Sequence, residues 1–281
     1  MSRIVHLSDL HFGTESPAVL AALERAVRAL APDIVVVSGD LTQRARRHEF
    51  AAARRFVTSL PGRHVVVPGN HDIPLLNPVA RALWPFRRYR AAFGSTGTAL
   101  LEHGDLRLVT VNSVRRERHA DGRVTRALRL RVAAIARAAP PANVTIVVAH
   151  HPLGTTRADG SPIEDRATLG HWRRAGVRLV MSGHEHRAFL RRAGEGPPVG
   201  RQGGGRRVDE PDSVSNGGEL WVLNAGTALS RRLRHARPNS FNVIDVVDSG
   251  ESAVPVLAIE RHDFDAALDA FTVAERRRTD D

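Results

Sequence analysis

The sequence predicts an α/β domain whose first half forms a largely parallel sheet and whose last part adds antiparallel strands. Two observations support this. Five short apolar runs alternate with helical segments between residues 3 and 181. After residue 219, strand-like runs follow one another without long helices between them. The second pattern is typical of antiparallel strands, and we expect these strands to close a second sheet.

Each predicted strand of the first half is a continuous apolar run without polar alternation, as in strands covered on both faces. These strands are Arg3–Leu7, Asp33–Val37, His64–Val67, Val144–Ala149 and Val177–Met181. The later strands are Leu220–Leu223, Phe241–Val247 and Val254–Ile259.

Helices connect the early strands. Ser16 is a helix cap and Pro17 suits the first helical position, and apolar residues then recur at helical spacing up to Leu30. Pro32 ends this helix. Two further helices carry the apolar positions Phe50, Val57 and Leu60, and Leu128, Val132 and Ile135.

We expect residues 1–275 to form one domain. The segment Arg191–Gly218 is rich in Gly, Pro and Arg and has almost nothing to bury, which predicts a mobile loop within that domain. The polar tail Arg276–Asp281 is expected to fray.

The composition excludes several chemistries. The 281 residues include no cysteine, so disulfides, Zn–Cys sites, iron–sulfur clusters and a catalytic thiol are ruled out. Any metal must be held by His, carboxylate or amide ligands. No apolar run approaches the roughly 20 residues that span a bilayer, and the first residues lack a signal-peptide core. We therefore expect a soluble, cytoplasmic protein.

The net charge is +11, and all 41 basic residues are Arg. Such a charge can attract nucleic acid or another phosphate-bearing ligand. Because the arginines are scattered along the chain, a GC-rich genome explains them more simply. A nucleic-acid partner is therefore not favoured, and the sequence has no separate DNA-binding module.

A polar cluster follows each of the first five strands. Since ligands of open α/β sheets bind at the carboxyl ends of strands, these clusters can meet at one point. They are Ser-Asp-Leu-His at 8–11, Ser-Gly-Asp at 38–40, Pro-Gly-Asn-His-Asp at 68–72, Ala-His-His-Pro at 149–152 and Ser-Gly-His-Glu-His at 182–186. Glycines 39, 69 and 183 allow the backbone to turn tightly there.

These residue types indicate a metal centre. Asp9 and His11 are two residues apart, as are His184 and His186, so each pair can chelate one ion. Asp, His and Asn without sulfur suit Mn²⁺, Zn²⁺ or Fe. Further donors are Asp40, Asn70 and His150. Seven ligands with one shared carboxylate exceed one ion and fit two, about 3.5–4 Å apart.

Six of the 14 histidines fall within these clusters, which chance does not readily explain. A lone histidine near a strand end is usually an ordinary surface or hydrogen-bonded core residue. That interpretation applies to the other eight, among them His6, His48, His103 and His262.

The ordered motifs Asp-x-His, Gly-Asp, Gly-Asn-His-Asp, His-His and Gly-His-x-His resemble the calcineurin-like metallophosphoesterase family. The resemblance implies that family's αββα sandwich, the metallo-dependent phosphatase fold, in which two packed mixed sheets are flanked by helices. It implies that His71 is a catalytic histidine that binds no metal and is oriented by Asp72. It also implies a first metal held by Asp9, His11, Asp40 and His186, and a second held by Asp40, Asn70, His150 and His184, with Asp40 bridging.

Within that family, the chain most resembles class III cyclic nucleotide phosphodiesterases. Gly39-Asp40-Leu41-Thr42 followed by Phe50 is similar to their second motif, although Gln43 to Arg46 lack the Gly often found there. The Asp-Arg-Gly segment of protein Ser/Thr phosphatases is absent, and lipid A precursor hydrolases have Arg in place of His71. Residues 224–227 resemble the family's strand after the metal site and are expected to line the pocket.

The resemblance implies a hydrolase of small phosphodiesters or nucleotides, such as 3′,5′-cyclic nucleotides, that uses a hydroxide bridging two divalent metals. A phosphomonoesterase or a nuclease on the same site is the nearest alternative. A metal-binding scaffold without catalysis is another, because a fold alone does not establish activity. The sequence leaves the oligomeric state and the role of His151 open.

Overall fold

Two six-stranded mixed sheets pack against each other in a computed structural model of the chain. The structure describes residues 2–118, 122–140, 142–156, 162–194, 218–231, 233, 237–247 and 255–280. Helices cover the outer surface of each sheet. The αββα sandwich implied by the family resemblance is therefore confirmed.

The strands occur in the following order along the chain: β1 (Arg3–Leu7), β2 (Ile34–Val37), β3 (Arg63–Val66), β4 (Leu100–His103), β5 (Leu106–Val111), β6 (Val144–Ala149), β7 (Gly154–Thr156), β8 (Pro162–Glu164), β9 (Val177–Ser182), β10 (Phe189–Arg192), β11 (Trp221–Asn224), β12 (Ser240–Val247), β13 (Val256–Asp265) and β14 (Ala270–Arg278). The α-helices are α1 (Pro17–Leu30), α2 (Arg47–Ser59), α3 (Pro78–Leu83), α4 (Arg87–Phe93), α5 (Arg126–Arg137) and α6 (Arg166–Arg174). A 3₁₀ turn covers Asn70–Asp72.

The first sheet has the order β14-β13-β12-β1-β2-β3. Strands β1, β2 and β3 are parallel, whereas β12 joins β1 in antiparallel orientation and β13 and β14 continue that pattern. The second sheet has the order β10-β11-β9-β6-β5-β4, in which β5, β6, β9 and β11 are parallel. The carboxyl ends of both parallel sets are the places where loops can carry a site.

Alternation along the strands explains why their sequences are continuously apolar. Ile4 and Ile34 lie in the core between the sheets, together with Ile146 of the second sheet. Val5 and Val35 belong to the outer cluster under α1 and α2. On the other side, Val109, Val147 and Val180 pack with Trp172 of α6. Neither face of these strands meets water, so neither face needs polar residues.

The late strands differ from expectation in their partners. They were expected to be antiparallel and to close a second sheet, but β12, β13 and β14 extend the first sheet from the edge of β1. In the second sheet, β11 runs parallel to β9 and only β10 pairs with it in antiparallel orientation. Which sheet a late strand joins depends on long-range pairing, and the sequence pattern around β11 does not encode it.

Two boundary predictions also need correction. Arg276–Arg278, expected to fray, continue β14 opposite Glu260–Ala258 of β13, where backbone pairing and the ion pair of Arg276 with Glu260 (2.7 Å) hold them. Arg191 and Arg192, placed in the predicted mobile loop, belong to β10 and pair with β11. Residues 195–217 of that loop lie outside the described residues.

None of the helices in the described ranges is both long enough and apolar enough to cross a membrane.

Candidate metal centre

Loops from both sheets meet at the carboxyl ends of the parallel strands. The amide of Asp9 donates to the Gly39 carbonyl at 3.1 Å, which joins the loops after β1 and β2. The amide of Gly183 donates to the His150 carbonyl at 3.0 Å, which joins the loops after β9 and β6. Between the sheets, Nδ1 of His150 lies 2.8 Å from the Ser38 carbonyl oxygen. The predicted site therefore lies across the junction of the two sheets.

The first group of side chains is centred on Asp9. Nε2 of His186 lies 3.2 Å from Oδ1 of Asp9 and 3.1 Å from Nε2 of His11. Nε2 of His11 lies 3.7 Å from Oδ1 of Asp9 and 3.7 Å from Oδ2 of Asp40. The ligand atoms of Asp9, His11 and His186 are close enough together to hold one metal ion.

The second group is centred on Asn70. Its Oδ1 lies 3.0 Å from Nε2 of His150 and 2.9 Å from Nδ1 of His184. Nε2 of His150 is also 3.4 Å from Oδ2 of Asp40. The same oxygen of Asp40 thus faces a histidine of each group. The structure brings together all seven side chains that the sequence nominates as metal ligands.

Each carboxylate has one oxygen held by the backbone and one turned to the histidines. Oδ2 of Asp9 accepts from the amide of His184 at 2.9 Å. Oδ1 of Asp40 accepts from the amide of His71 at 2.8 Å. The opposite oxygens, Oδ1 of Asp9 and Oδ2 of Asp40, face the histidines. Oδ1 of Asp9 is buried and has no hydrogen-bond partner among the described residues.

The backbone at this junction is strained. Positive φ values occur at Asp9 (51°), His11 (48°), Asp40 (50°), His184 (75°) and His186 (55°), which are five of the eight non-glycine residues with positive φ in the described ranges. Such conformations are costly for these residue types and concentrate at functional sites. The fold therefore holds these side chains in place at the expense of local backbone energy.

Two glycines allow the loops to approach each other. Gly39 has φ of +98°, and a Cβ there would overlap the His150 ring. Gly69 has an ordinary φ, but a Cβ would overlap the backbone and carboxylate of Asp40. Of the two, only Gly39 is needed for a left-handed turn, whereas Gly69 is needed for close approach.

The electrostatics favour a positive charge between the carboxylates and the rings. Burial opposes ionisation of Asp9, yet His186 and His11 hold the pKa of its carboxyl well below the usual range. Burial likewise disfavours a charged His150, but Asp40 and Asp9 raise the pKa of that ring to about 9. A proton or a metal ion can provide the charge that these carboxylates favour.

The donor chemistry fits metal ions. The carbonyl of Ser38 can only accept, so Nδ1 of His150 carries a hydrogen, and in the neutral ring the lone pair of Nε2 points at the oxygens of Asn70 and Asp40. Three acceptors facing one another need a cation between them. Two carboxylates, one amide oxygen and four imidazoles are a suitable set for divalent metals of borderline hardness.

His71 lies beside the first group. Its ring meets the ring of His11 edge-on, with centroids 4.9 Å apart. Nδ1 of His71 lies 2.9 Å from the carbonyl oxygen of Gln43, in the loop after β2. That carbonyl fixes a hydrogen at Nδ1, so Nε2 is the atom left for a reacting group.

The resemblance implies that Asp72 orients His71, and that role stays a prediction, since the ring hydrogen bond described above is to the carbonyl of Gln43. The Asp72 carboxylate accepts four hydrogen bonds from elsewhere: the amides of Gly69 (2.8 Å), Leu41 (3.2 Å) and Thr42 (2.9 Å), and the hydroxyl of Thr42 (2.9 Å). Asp72 therefore ties the 3₁₀ turn to the loop that carries Asp40.

His151, whose role the sequence leaves open, lies at the same site. The ligand-type atoms of His150, His151 and His184 lie within 4.8 Å of one another. The hydroxyl of Ser113 accepts from the amide of His151 at 3.1 Å and lies 2.9 Å from its Nδ1. Nε2 of His151 is buried without a hydrogen-bond partner among the described residues. The His-His pair was the only signal available in the sequence.

His6, by contrast, is a hydrogen-bonded core residue, one of the two ordinary roles predicted for it. It is fully buried in β1, and its Nε2 lies 2.9 Å from the hydroxyl of Ser38. The segment 224–227 contributes support from below the site, since the hydroxyl of Thr227 donates to the carbonyl of Asp9 at 2.7 Å.

Comparisons with known proteins agree with this geometry. The model of a family described as calcineurin-like phosphoesterase matches residues 2–188. A curated protein from Synechococcus sp., named as a probable cyclic nucleotide phosphodiesterase, is 26% identical over 229 residues, which are 74% of this chain and 83% of that protein. A UDP-2,3-diacylglucosamine pyrophosphatase from Chlamydia muridarum is 38% identical over 73 residues, which are 25% of this chain and 22% of that protein.

Among solved structures, the purple acid phosphatase PPD1 from yellow lupin seeds is similar, with a TM-score of 0.61 and 15% identity. The match covers 99% of this chain and 53% of the lupin chain, so this chain spans about half the length of that protein. At this identity the likeness concerns the fold alone.

Proposed function

We propose that this chain, which belongs to the calcineurin-like phosphoesterase family, hydrolyses phosphodiester bonds of small molecules in a metal-dependent reaction. The observation that carries the proposal is the pair of donor groups that share Oδ2 of Asp40, with His71 beside them. Cyclic nucleotides are the first substrate class to test, because a relative that matches most of this chain is named for that activity.

The donor set divides naturally between two ions. Asp9, His11 and His186 would hold one, Asn70, His150 and His184 the other, and Asp40 would belong to both. When bound, such ions offset phosphate charge and lower the pKa of a water molecule so that it can attack phosphorus at neutral pH.

The chain's own catalytic group would be His71. With Nδ1 held by the Gln43 carbonyl, a protonated His71 presents its second hydrogen at Nε2. Donation of that proton to the departing alkoxide would allow a poor leaving group to depart.

His151 would contact the substrate. Because the hydroxyl of Ser113 already accepts one hydrogen bond from the backbone, its own hydrogen is available to Nδ1 of His151. Burial and the nearby His150 hold the pKa of His151 well below its usual value, which keeps the ring neutral with its hydrogen at Nε2. That hydrogen would suit a phosphoryl oxygen.

The test is hydrolysis of bis(p-nitrophenyl) phosphate by the full chain, first stripped of metal by a chelator and then supplied with Mn²⁺. We expect activity that appears with the metal and is lost in His11→Ala. The matched control is His48→Ala, which removes an exposed histidine in the first turn of α2 that is not among the proposed ligands. Absence of turnover with Mn²⁺, Zn²⁺ and Fe²⁺ alike would favour the metal-binding scaffold.

A substrate panel then separates the remaining alternatives. It contains p-nitrophenyl phosphate, 3′,5′-cyclic and 2′,3′-cyclic nucleotides, glycerophosphodiesters and DNA. We expect diesters to be cleaved faster than the monoester and small diesters faster than DNA. A preference for the monoester would replace the proposal with a phosphomonoesterase, and a preference for DNA would replace it with a nuclease.

A further inference from the structure

An apolar face of the protein lies immediately after the catalytic turn. It consists of Leu75 (44% exposed), Leu76 (78%), Val79 (62%), Leu83 (61%) and Trp84 (58%). None of the six residues of α3, which forms its centre, is buried. A cluster of large apolar side chains in contact with water is costly and usually marks an interaction surface.

Specific hydrogen bonds hold α3, and with it the apolar face, in a defined conformation. Val79 and Leu83 are four residues apart on α3 and therefore share one side of the helix. The side chain of Asn77 caps the helix by accepting from the amide of Ala80 at 2.8 Å. Arg81 fixes the helix from behind, since its guanidinium donates to the carbonyls of Arg116 (2.6 Å), Pro74 (3.2 Å) and Arg118 (3.2 Å).

Basic residues of α4 follow the apolar face closely in the chain, since Arg87 and Arg90 come three and six residues after Trp84, and they form its basic border. Arg87 and Arg90 are exposed, and their side chains make no hydrogen bond or ion pair within the described parts of the chain. The sequence from Ile73 to Leu101 contains no Asp or Glu. The border therefore carries positive charge that no neighbouring carboxylate in this segment offsets.

A groove between α2 and α4 continues the basic border. It has a volume of about 460 Å³, with Arg47 and Arg54 on one side and Arg87 and Arg88 on the other. Alanines and Phe50 line it between the arginines. Four guanidinium groups around a shallow apolar floor suit phosphate groups, because guanidinium pairs with phosphate in a bidentate manner.

We propose that the apolar face and its basic border dock onto the surface of an anionic phospholipid bilayer. Leucine, valine and tryptophan side chains would enter the interfacial region, and the arginines of α4 and α2 would contact headgroup phosphates. This combination is typical of peripheral proteins that lie on a membrane without spanning it. Tryptophan is favoured at that depth, since it has an apolar ring and a polar edge.

Charge and polarity favour this partner over two others. A second copy of the chain would bring the uncompensated arginines of both copies together, and like charges at an interface are repulsive. A nucleic acid would be attracted by the arginines but would gain little from Leu76, Val79 and Leu83. An anionic bilayer offers apolar lipid to the apolar face and negatively charged phosphates to the basic border.

The apolar face lies close in the chain to the candidate metal centre, so docking would also position that centre. Leu75 follows His71 by four residues, and Ile73 between them is completely buried. Docking would therefore place the candidate metal centre close to the lipid surface. The binding itself does not depend on catalysis, so the proposal stands or fails separately from the proposed function.

The test is co-sedimentation of the full chain with two kinds of vesicle, pure phosphatidylcholine and an equimolar mixture with phosphatidylglycerol. We expect stronger binding to the anionic vesicles. In the variant Leu76→Ser/Leu83→Ser, binding should fall by at least about tenfold. The variant lacks two leucine side chains whose transfer from water into the bilayer favours binding. In Arg87→Gln/Arg90→Gln it should fall by about thirtyfold, since each arginine near such a surface contributes separately.

Matched controls replace exposed residues of the same types elsewhere on the protein. Leu130→Ser/Leu268→Ser removes two leucines of 46% and 65% exposure, and Arg126→Gln/Arg131→Gln removes two exposed arginines of α5. Both controls should bind as the unmodified chain does. No binding to anionic vesicles, or equal losses in controls and test variants, would overturn the proposal. So would a dimer in sedimentation velocity that Leu76→Ser/Leu83→Ser abolishes while vesicle binding is unaffected.

Discussion

The carbonyl oxygen of Gln43 lies 2.9 Å from Nδ1 of His71, and this contact sets which nitrogen of the ring can take part in chemistry. A carbonyl cannot donate, so Nδ1 carries a hydrogen in every protonation state of the ring. Nε2 is then the site that gains or loses the proton. The same logic applies to His150, whose Nδ1 lies 2.8 Å from the Ser38 carbonyl.

His71→Ala tests the role of that proton. We expect the variant to keep its metal content and its unfolding midpoint, while turnover falls by about 10²–10⁴-fold, the usual contribution of general acid catalysis. The loss should be larger for a sugar alkoxide leaving group than for p-nitrophenolate, which departs without a proton. Turnover of both substrates and elemental analysis provide the measurement.

Equal losses for both leaving groups would show that His71 acts on phosphate charge or substrate position instead. A lower metal content would show that the residue is a ligand or a structural element.

Asp72→Asn separates a structural carboxylate from a catalytic one. An amide nitrogen would replace one of the two oxygens, which together accept four hydrogen bonds, and would leave buried donors unpaired. We expect a loss of about 1–3 kcal/mol in the free energy of unfolding, measured with urea. Turnover should then fall by a similar factor for good and poor leaving groups. A stable variant whose loss of turnover depends on the leaving group would support the role of Asp72 in orienting His71.

The sequence could predict that the seven candidate ligands lie close together because the signal is local. Each of Asp9, Asp40 and His150 follows a buried β-branched run, and parallel strands end at a common edge. The family resemblance divides the ligands between two ions, and the distances around Asp40 agree with that division. Nothing in the pattern depended on knowing which strands pair.

Other features lay beyond the reach of local patterns. The contact of Gln43 with His71 joins residues 28 positions apart. It uses the backbone carbonyl of Gln43, so the residue type at position 43 does not indicate it. The strand β5, Leu-Arg-Leu-Val-Thr-Val, went unpredicted although it lies within the second sheet. The exposed face of α3 looks like an ordinary apolar helix in sequence, and only its lack of burial distinguishes it.

His151→Phe tests whether the unpartnered Nε2 contacts the substrate. Phenylalanine keeps the ring volume in a buried position but removes the hydrogen that we assign to Nε2. We expect KM for a diester to rise by roughly tenfold or more, as for a lost hydrogen bond to a charged group. Metal content should stay constant. Ser113→Ala, which frees Nδ1 of His151, should produce a smaller effect in the same direction. An unchanged KM in His151→Phe would leave the residue with a purely structural role.

Burial of His6 is expected to lower the free energy of unfolding in acid. Burial lowers the pKa of this ring from 6.5 to about 3, so the folded chain keeps it neutral while the unfolded chain protonates it below pH 6.5. Stability from this residue is therefore complete above the unfolded pKa and is lost as pH falls through it. Between about pH 7.5 and about pH 5.5 the loss should be about 1.4 kcal/mol.

The measurement is urea unfolding of the metal-free chain at both pH values, compared with His6→Gln. The variant should lose about 1.4 kcal/mol less than the unmodified chain over this interval. Identical losses in both proteins would mean that His6 is protonated in the folded state as readily as in the unfolded one.

The number of metal ions bound by the chain and by two variants tests most directly whether Asp40 belongs to two metal sites. Elemental analysis after Mn²⁺ loading and gel filtration should give two ions per chain, one in Asn70→Ala and fewer than one in Asp40→Asn, because the oxygen Oδ2 of Asp40 faces a histidine of each group. Ser113→Ala, which alters a neighbour of His151 but no proposed ligand, should keep both ions. A single ion in the unmodified chain, or two ions retained in Asp40→Asn, would contradict the proposed pair of sites that share Asp40.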